Sequence, residues 1–159
     1  MKGLVAFSFA LRAIEDEPNP CNRRLAQSVM GIVATEKDDI LVVSQWEVSR
    51  QLRANGHEPE CSVELRPDGS YLDSDIVWDT ARKVFEQHGI SEVIPVAQPI
   101  LQMTKVKRLI KSDGFVVIER PIGAIGFDAQ STQWWTRGLL RLILYAVLQQ
   151  FTGRRGNAA

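Results

Sequence analysis

The sequence predicts a three-layer, Rossmann-like α/β fold with a mostly parallel five-stranded sheet and helices on both faces. Two segments show the same order of elements. Asp39–Gln45 is an apolar run that leads into an amphipathic helix ending at Asn55-Gly56, and Glu92–Gln98 leads into a helix ending at Asp113-Gly114. Strands buried on both faces of a parallel sheet are apolar throughout, and helices connect them. Because such sheets bind ligands beyond the carboxyl ends of their strands, the polar residues at these junctions indicate where a site would lie.

The first half of the chain supplies two of these units. Gly3–Ala10 is nearly all apolar, which predicts a central first strand. Arg12–Asn22 is acidic and carries two prolines, so we expect a loop over the carboxyl edge of the sheet. The spacing of Leu25, Val29, Ile32 and Val33 then predicts the first helix. Asp39–Gln45 is the second strand.

The other elements follow from hydrophobic periodicity and from the residues that end helices and strands. In chain order they are a helix over Trp46–Arg53, a strand over Ser62–Leu65 closed by the turn Pro67–Gly69, a helix from about Asp75 to His88, the strand Glu92–Gln98, a helix packing Met103, Val106, Leu109 and Ile110, the strand Phe115–Glu119, a glycine-containing segment over 120–130, and a last helix capped by Ser131 or Thr132.

Length and composition restrict the class of protein. The 159 residues fit one domain over 1–153 with a flexible basic tail over 154–159. There are 19 basic and 19 acidic side chains, so no global field attracts nucleic acid, and small-molecule or protein partners are favoured. The two cysteines, Cys21 and Cys61, form neither a disulfide framework nor a zinc-ligand pair, which favours a reducing cytoplasm.

The most hydrophobic stretch is C-terminal, at Gly138–Phe151. Its uninterrupted apolar run is far short of the ~20 residues that span a bilayer, so we expect no stable membrane insertion. Apolar residues occur on every side of the predicted helix, so we expect it to be buried on several sides. A second copy of the chain could cover one of them, which would make a homo-oligomer through this helix. A membrane-surface role is less favoured, since only Arg137 and Arg141 are cationic there. Before this stretch, the adjacent Trp134 and Trp135 point to different faces of the predicted helix. One therefore packs in the core, and the other can line a cleft.

Glu47 is the candidate catalytic residue, because it lies two residues after the end of the second strand, where a helix begins. A carboxylate at this place can act as general acid or base, or can hold a ligand hydroxyl. The alternative is purely structural, since an acidic residue in the first turn complements the helix dipole.

Two further positions could bind an anion. Arg23 and Arg24 follow the first loop, and a guanidinium is a fork of donors suited to phosphate or carboxylate. Adjacent residues diverge by about 100° around a helix, so at most one of the two points into a cleft. Gln98 closes the fourth strand, and helix N-terminal amides after it could also receive an anion. The alternative is purely structural, namely that Pro99 only sets the start of the helix.

Several kinds of site are excluded or unsupported. Gly123-Ala124-Ile125-Gly126 lacks the G-x-G-x-x-G pattern of dinucleotide binding, and no P-loop occurs. His57 and His88 lie beside glycines at helix ends, so a metal site is improbable, and no Ser-His-Asp spacing supports a triad. The sequence therefore identifies no cofactor.

The order of these pieces resembles the YdcF/SanA/ElyC-like family of bacterial α/β proteins over most of the chain. The family has a first strand, an Arg at the next helix, and a second strand that ends in a Ser-containing turn before a Glu. Leu4–Phe9, Arg23 or Arg24, and Val42–Glu47 are similar to these features. Tyr71–Ala81 is similar to its acidic segment before the third helix. Where the family shows a His and then an Arg, this chain has Val96–Lys105.

That last segment is a departure from the family pattern, as is the absence of a Gly pair after Ser44. Leu101 or Gln102 stands at the His position and Thr104 or Lys105 at the Arg position. The resemblance implies a bacterial protein linked to cell-envelope metabolism, with a nucleotide-like or phosphorylated ligand. The departures imply that part of the polar cluster is lost, which leaves open whether the chain is an enzyme.

The leading hypothesis is a small-molecule-binding protein in which Arg binds an anion and Glu47 transfers a proton or recognises a hydroxyl. The alternative is a non-catalytic binding or assembly module that retained the fold. The expected ligand-binding residues are Ser8, Arg23, Arg24, Ser44, Gln45 and Gln98.

Overall fold

The protein folds as a five-stranded, all-parallel sheet with helices on both faces, which confirms the predicted fold class. The structure, a computed structural model, describes residues 1–12, 19–64, 72–100 and 102–152, with side chains up to residue 148. In chain order the elements are β1 Lys2–Ala6, α1 Pro20–Thr35, β2 Ile40–Gln45, α2 Trp46–Ala54, β3 Cys61–Val63, α3 Ser74–Gln87, β4 Glu92–Val96, α4 Gln102–Ser112, β5 Val116–Val117, a 3₁₀ helix Trp134–Arg137 and α5 Leu139–Thr152.

The strand order is β3-β2-β1-β4-β5, so the chain turns from one half of the sheet to the other between β1 and β4. Ala6 is in register with Ser44 on one side and with Val96 on the other. The carboxyl ends of the three central strands are therefore level. In sheets of this order, ligands bind in the crevice outside the strand ends at the point where the order reverses.

Alternate residues of the strands face two separate cores. Leu4 and Val42 pack with α1 and α2, while Val5 and Val43 pack with α3 and α4 on the opposite face. Gly3 is needed in β1, because a Cβ there would lie 2.8 Å from the ring of Phe85 in α3. This alternation explains why the central strands are apolar on both faces.

The first predicted strand is too long. Pairing ends at Ala6, although Phe7, Phe9 and Ala10 are all buried. Their apolar character reflects burial in the two cores just beyond the strand, where Phe7 packs with the α3 and α4 side and Phe9 and Ala10 pack with the α1 and α2 side. The following helix also begins earlier than predicted, at Pro20, because the side chain of Asn19 caps it.

The last helix begins later than the sequence predicts. Neither Ser131 nor Thr132 caps α5, which begins at Leu139 after the 3₁₀ helix and Gly138. The other elements agree with prediction to within a few residues, except that β5 has only two residues. The end of the third predicted strand at Leu65, the turn Pro67–Gly69 and the basic tail 154–159 lie outside the described residues.

Candidate functional site

The carboxyl ends of β1, β2 and β4 bring together four of the predicted site residues. Ser8 follows β1, Gln45 ends β2, Glu47 lies in the first turn of α2, and Gln98 follows β4. Ser8, Gln45 and Gln98 are each at most 3 % exposed, and Glu47 is partly exposed. We call these four residues, with Gln102 of α4, the crevice cluster.

Two hydrogen bonds in this cluster join the segment after β1 to the junction of β2 and α2. The Ser8 hydroxyl donates to Oε2 of Glu47 at 2.5 Å, and the Ser8 backbone N–H donates to Oε1 of Gln45 at 3.0 Å. Both partners come from the β2–α2 junction, as the sequence predicted. Because Ser8 is almost fully buried, its hydroxyl orients the carboxylate and is poorly placed to meet a ligand.

Burial raises the pKa of Glu47 from 4.5 to about 7. Hydrogen bonds from Ser8 and from its own backbone amide favour the charged form and lower the pKa, while the nearby charge of Glu64 raises it further. Desolvation is thus the dominant effect. A carboxyl group with this pKa can both accept and donate a proton near neutral pH, which suits a general acid or base.

On the other side of β1, amide side chains fill the crevice. Gln102 accepts a hydrogen bond from the backbone N–H of Gln98 at 3.1 Å and donates one to the carbonyl oxygen of Ser8 at 2.9 Å. The side chain of Gln98 accepts from the N–H of Ile100 at 3.0 Å. The chain's own side chains thus occupy the amides of Gln98 and Ile100, and the expectation that helix N-terminal amides after Gln98 receive an anion stays a prediction.

Ser44 does not join the crevice cluster. It is fully buried, and its hydroxyl lies 2.7 Å from the hydroxyl of Ser49 in α2. Ser49 also donates to the backbone carbonyl of Ser44 at 3.2 Å. These contacts attach the start of α2 to the end of β2, and the role of Ser44 as a ligand-binding residue stays a prediction.

The two arginines at the start of α1 have different surroundings, which the sequence could not distinguish. Arg24 donates to the carbonyl oxygen of Ile125 at 3.1 Å and lies against Gly126. Arg23 is exposed and forms no hydrogen bond or ion pair within the described residues. Both arginines are exposed, and of the two Arg23 is the one whose guanidinium has no partner among the described residues.

Two asparagines that are not among the predicted site residues shape the loop after β1. Asn19 and Asn22 both donate to the carbonyl oxygen of Ala10, at 3.0 and 3.3 Å, and Asn22 accepts from the N–H of Phe9 at 2.9 Å. Ala10 has φ 68°, a conformation that side chains rarely adopt. These bonds hold the backbone beyond Ser8 in place. The Asn-Pro pair before α1 was the available signal, because Asn is a preferred N-cap residue.

A second brace ties this loop to the C-terminal part of the chain. Arg12 forms a bidentate pair with Asp128, with distances of 2.7 and 3.1 Å. The Ser131 hydroxyl accepts from the backbone N–H of Leu11 at 3.2 Å, and the N–H of Thr132 donates to the carbonyl of Leu11 at 2.7 Å. No local sequence pattern predicts these contacts, because the partners are more than 100 residues apart.

A separate hollow of about 240 Å³ lies between α1 and the segment after β5. Ser28, Thr35 and Arg120 are among its lining residues. Arg120 pairs with Glu36, which also contacts Lys2 at the amino end of β1. The hollow is therefore remote from the crevice cluster, and the Arg120 guanidinium is already paired.

Within the described residues, no group of three or more His, Cys, Asp or Glu side chains is placed to hold a metal ion. In the same part of the chain, no helix has both the length and the apolar character needed to cross a membrane.

Comparisons with known proteins do not identify a family. No protein-family model matches the sequence, and no curated protein matches it significantly. A structure of Rhizobium etli pyruvate carboxylase with the allosteric activator acetyl coenzyme A is similar to 73 % of this chain, at 11 % sequence identity and a TM-score of 0.34. The match spans 11 % of the length of that carboxylase chain, and at this TM-score it carries no argument about function.

Proposed function

We propose that this chain binds a small polar molecule at the carboxyl ends of β1, β2 and β4, and that Glu47 exchanges a proton with it. The observation that carries the proposal is a partly exposed carboxyl group, held by the Ser8 hydroxyl, whose pKa burial raises to about 7. Such a group is about half protonated at neutral pH, where a general acid or base is most effective. Its place at the reversal of strand order agrees with where sheets of this kind bind ligands.

The surroundings of Glu47 restrict the part of the ligand that reaches it. The shift in its pKa has no contribution from a lysine or arginine, and its polar contacts are Ser8 and its own backbone amide. An anionic group placed beside Glu47 would face the carboxylate without a compensating cation. The reacting part of the ligand is therefore not anionic and is a hydrogen-bond donor, such as a hydroxyl or an amine.

We further propose that any anionic part of the ligand lies toward Arg23 at the start of α1. This arrangement accommodates the nucleotide-like or phosphorylated ligand that the resemblance to the YdcF/SanA/ElyC-like family implies, and with it a role in bacterial cell-envelope metabolism. Arg23 is exposed, whereas the Arg24 guanidinium is engaged with Ile125. The proposal thus assigns anion binding to Arg23 and proton transfer to Glu47.

One observation favours a second candidate, a binding module without catalysis. Gln102 occupies the amide of Gln98 and the carbonyl of Ser8, so part of the crevice is closed by the chain's own hydrogen bonds. A fold that had lost its chemistry could retain a filled crevice of this kind.

A thermal-shift screen tests the proposal. Purified protein is mixed with nucleotides, S-adenosylmethionine, sugar phosphates and peptidoglycan precursors, and the unfolding temperature is followed for wild type, Glu47→Gln, Arg23→Ala and the control Glu60→Gln. Glu60 is exposed and has no hydrogen bond within the described residues. A bound ligand at 100 times its Kd stabilises by about 2.7 kcal/mol, a shift of several degrees.

We expect at least one compound to raise the unfolding temperature of wild type and of Glu60→Gln, and to do so less for Glu47→Gln and Arg23→Ala. A ligand whose effect is equal in all four proteins would refute the placement of the site. If a ligand binds as expected and no product forms in the presence of wild type, the binding module is the correct candidate.

A further inference from the structure

Helix α5 presents a stripe of apolar side chains that are exposed in the described structure. Six aliphatic side chains along it are between 42 and 82 % exposed, and Leu140 is the most exposed of them. They are Leu139, Leu140, Ile143, Leu144, Val147 and Leu148. They form adjacent pairs that repeat every four residues, which places them on one side of the helix. Scattered apolar residues are normal on a surface, but a continuous stripe marks an interaction site.

The opposite side of α5 is attached to the body of the protein, which fixes the direction of the stripe. Leu142 is 3 % exposed and belongs to the core that α1 and α2 share. The ring of Tyr145 stacks on Trp135 with centroids 4.6 Å apart, and Trp134 meets both rings edge-on. The stripe therefore faces away from Leu142, with an aromatic group beside its first turns.

The charged residues of the C-terminal part of the sequence have one sign. After Asp128 the sequence contains no acidic residue, but it contains Arg137, Arg141, Arg154 and Arg155. Arg137 and Arg141 are exposed, and neither forms an ion pair within the described residues. Since the whole chain has a net charge of zero, this positive charge is concentrated at the C-terminal end.

A second copy of the chain fits this surface poorly. A helix of 14 residues is about 21 Å long and about 10 Å wide, and a stripe of that size falls short of the ~800 Å² per partner that a stable interface buries. A second α5 would also bring more arginines and no carboxylate to pair with them. An anionic bilayer, by contrast, supplies both an apolar layer and negative headgroups.

We propose that α5 docks this protein on the surface of an anionic lipid bilayer. The helix lies parallel to the surface with Leu140 and Leu144 in the acyl region, and Arg137 and Arg141 contact the headgroups. The ring of Trp134, which is 37 % exposed, lies at the boundary, where aromatic rings are enriched. This is peripheral binding, because the Leu142 side of the helix stays packed on the protein.

Vesicle co-sedimentation tests this proposal. The full chain is mixed with vesicles of phosphatidylcholine alone, or of phosphatidylcholine with about a third phosphatidylglycerol, at low and at high salt. The variants are Leu140→Gln with Leu144→Gln, Arg137→Gln with Arg141→Gln, and the control Val116→Gln. Val116 is 52 % exposed on β5, so it matches Leu144 in exposure but lies outside α5. Circular dichroism and the unfolding temperature establish that each variant is folded.

We expect wild type and Val116→Gln to sediment with the anionic vesicles at low salt. The double Leu variant should bind about tenfold or more weakly, since transferring a leucine out of an apolar layer carries a penalty of this order. The double Arg variant should show a weaker preference for anionic over neutral vesicles than wild type does. High salt should likewise weaken the binding of wild type to the anionic vesicles. Equal binding by the double Leu variant and wild type would overturn the proposal, as would the absence of binding to anionic vesicles. A stable dimer at micromolar concentration that the double Leu variant abolishes would overturn it in favour of a second copy.

Discussion

The raised pKa of Glu47 predicts an unusual dependence of stability on pH. In the unfolded chain this carboxyl ionises near 4.5, whereas in the folded protein it ionises near 7. Between these values the unfolded state releases a proton that the folded state retains. The contribution of Glu47 to stability is therefore fully present below pH 4.5 and is lost as the pH rises to about 7. The difference between the two pKa values corresponds to about 3 kcal/mol as an upper figure.

Glu47→Gln removes this titration and keeps an acceptor oxygen for Ser8. As the pH rises from 4.5 to 7.5, wild type should lose up to about 3 kcal/mol of unfolding free energy that the variant does not lose. The difference corresponds to up to about 10 °C in unfolding temperature. Urea unfolding of both proteins at several pH values measures the difference. The control Glu60→Gln, at an exposed site, should show no such trend. If wild type and variant differ in unfolding free energy by the same amount at pH 4.5 and at pH 7.5, Glu47 is not a buried carboxyl with a raised pKa.

Two further predictions concern the framework of the site and are checked by urea unfolding. Gly3→Ala should destabilise the protein by about 1–3 kcal/mol, because its Cβ would lie 2.8 Å from Phe85, whereas Gly31→Ala, in open space within α1, should stabilise it by about 0.5–1 kcal/mol. Equal effects of the two alanines would contradict the close packing of β1 on α3. Asp128→Asn should cost about 2–3 kcal/mol, because it breaks a bidentate pair with Arg12 in which Asp128 is 3 % exposed. A change below about 0.5 kcal/mol would show that the brace contributes little.

The sequence predicted those elements that local pattern determines. The junction at Gln45 and Trp46 was placed correctly, since a strand composition changes there to a helical one within two residues. The position of Glu47 at the carboxyl edge followed from that junction and from the parallel sheet. Ser131, in contrast, was assigned to a helix cap on its residue type alone, yet it accepts from Leu11 and lies eight residues before α5. A capping residue and a distant brace have the same local signature, because both use a short hydroxyl side chain.

The remaining features of the site depend on contacts between distant parts of the chain. Gln102 contacts Ser8 across 94 positions in sequence, and the pairing of Arg12 with Asp128 spans 116. The same holds for the pKa of Glu47, because burial by the surrounding elements causes it and a first-turn carboxylate is ordinarily exposed. Periodicity reports which face of an element is buried, but it does not report which polar side chains meet inside the crevice.

The contrast between Glu47 and its neighbours in the crevice bears on function. Gln45, Gln98 and Gln102 are neutral, and each makes hydrogen bonds that compensate for its burial. Glu47 is the member of the cluster whose charged form is not fully compensated, since desolvation outweighs the hydrogen bonds it accepts. If its only role were to hold Ser8, a glutamine would suffice and the folded protein would be more stable at neutral pH. A ligand that donates a hydrogen bond to Glu47 would supply the missing compensation, so its binding should lower the pKa of this carboxyl and release part of a proton above pH 5. Calorimetric titration in buffers of different ionisation enthalpy measures that proton, and Glu47→Gln should abolish it.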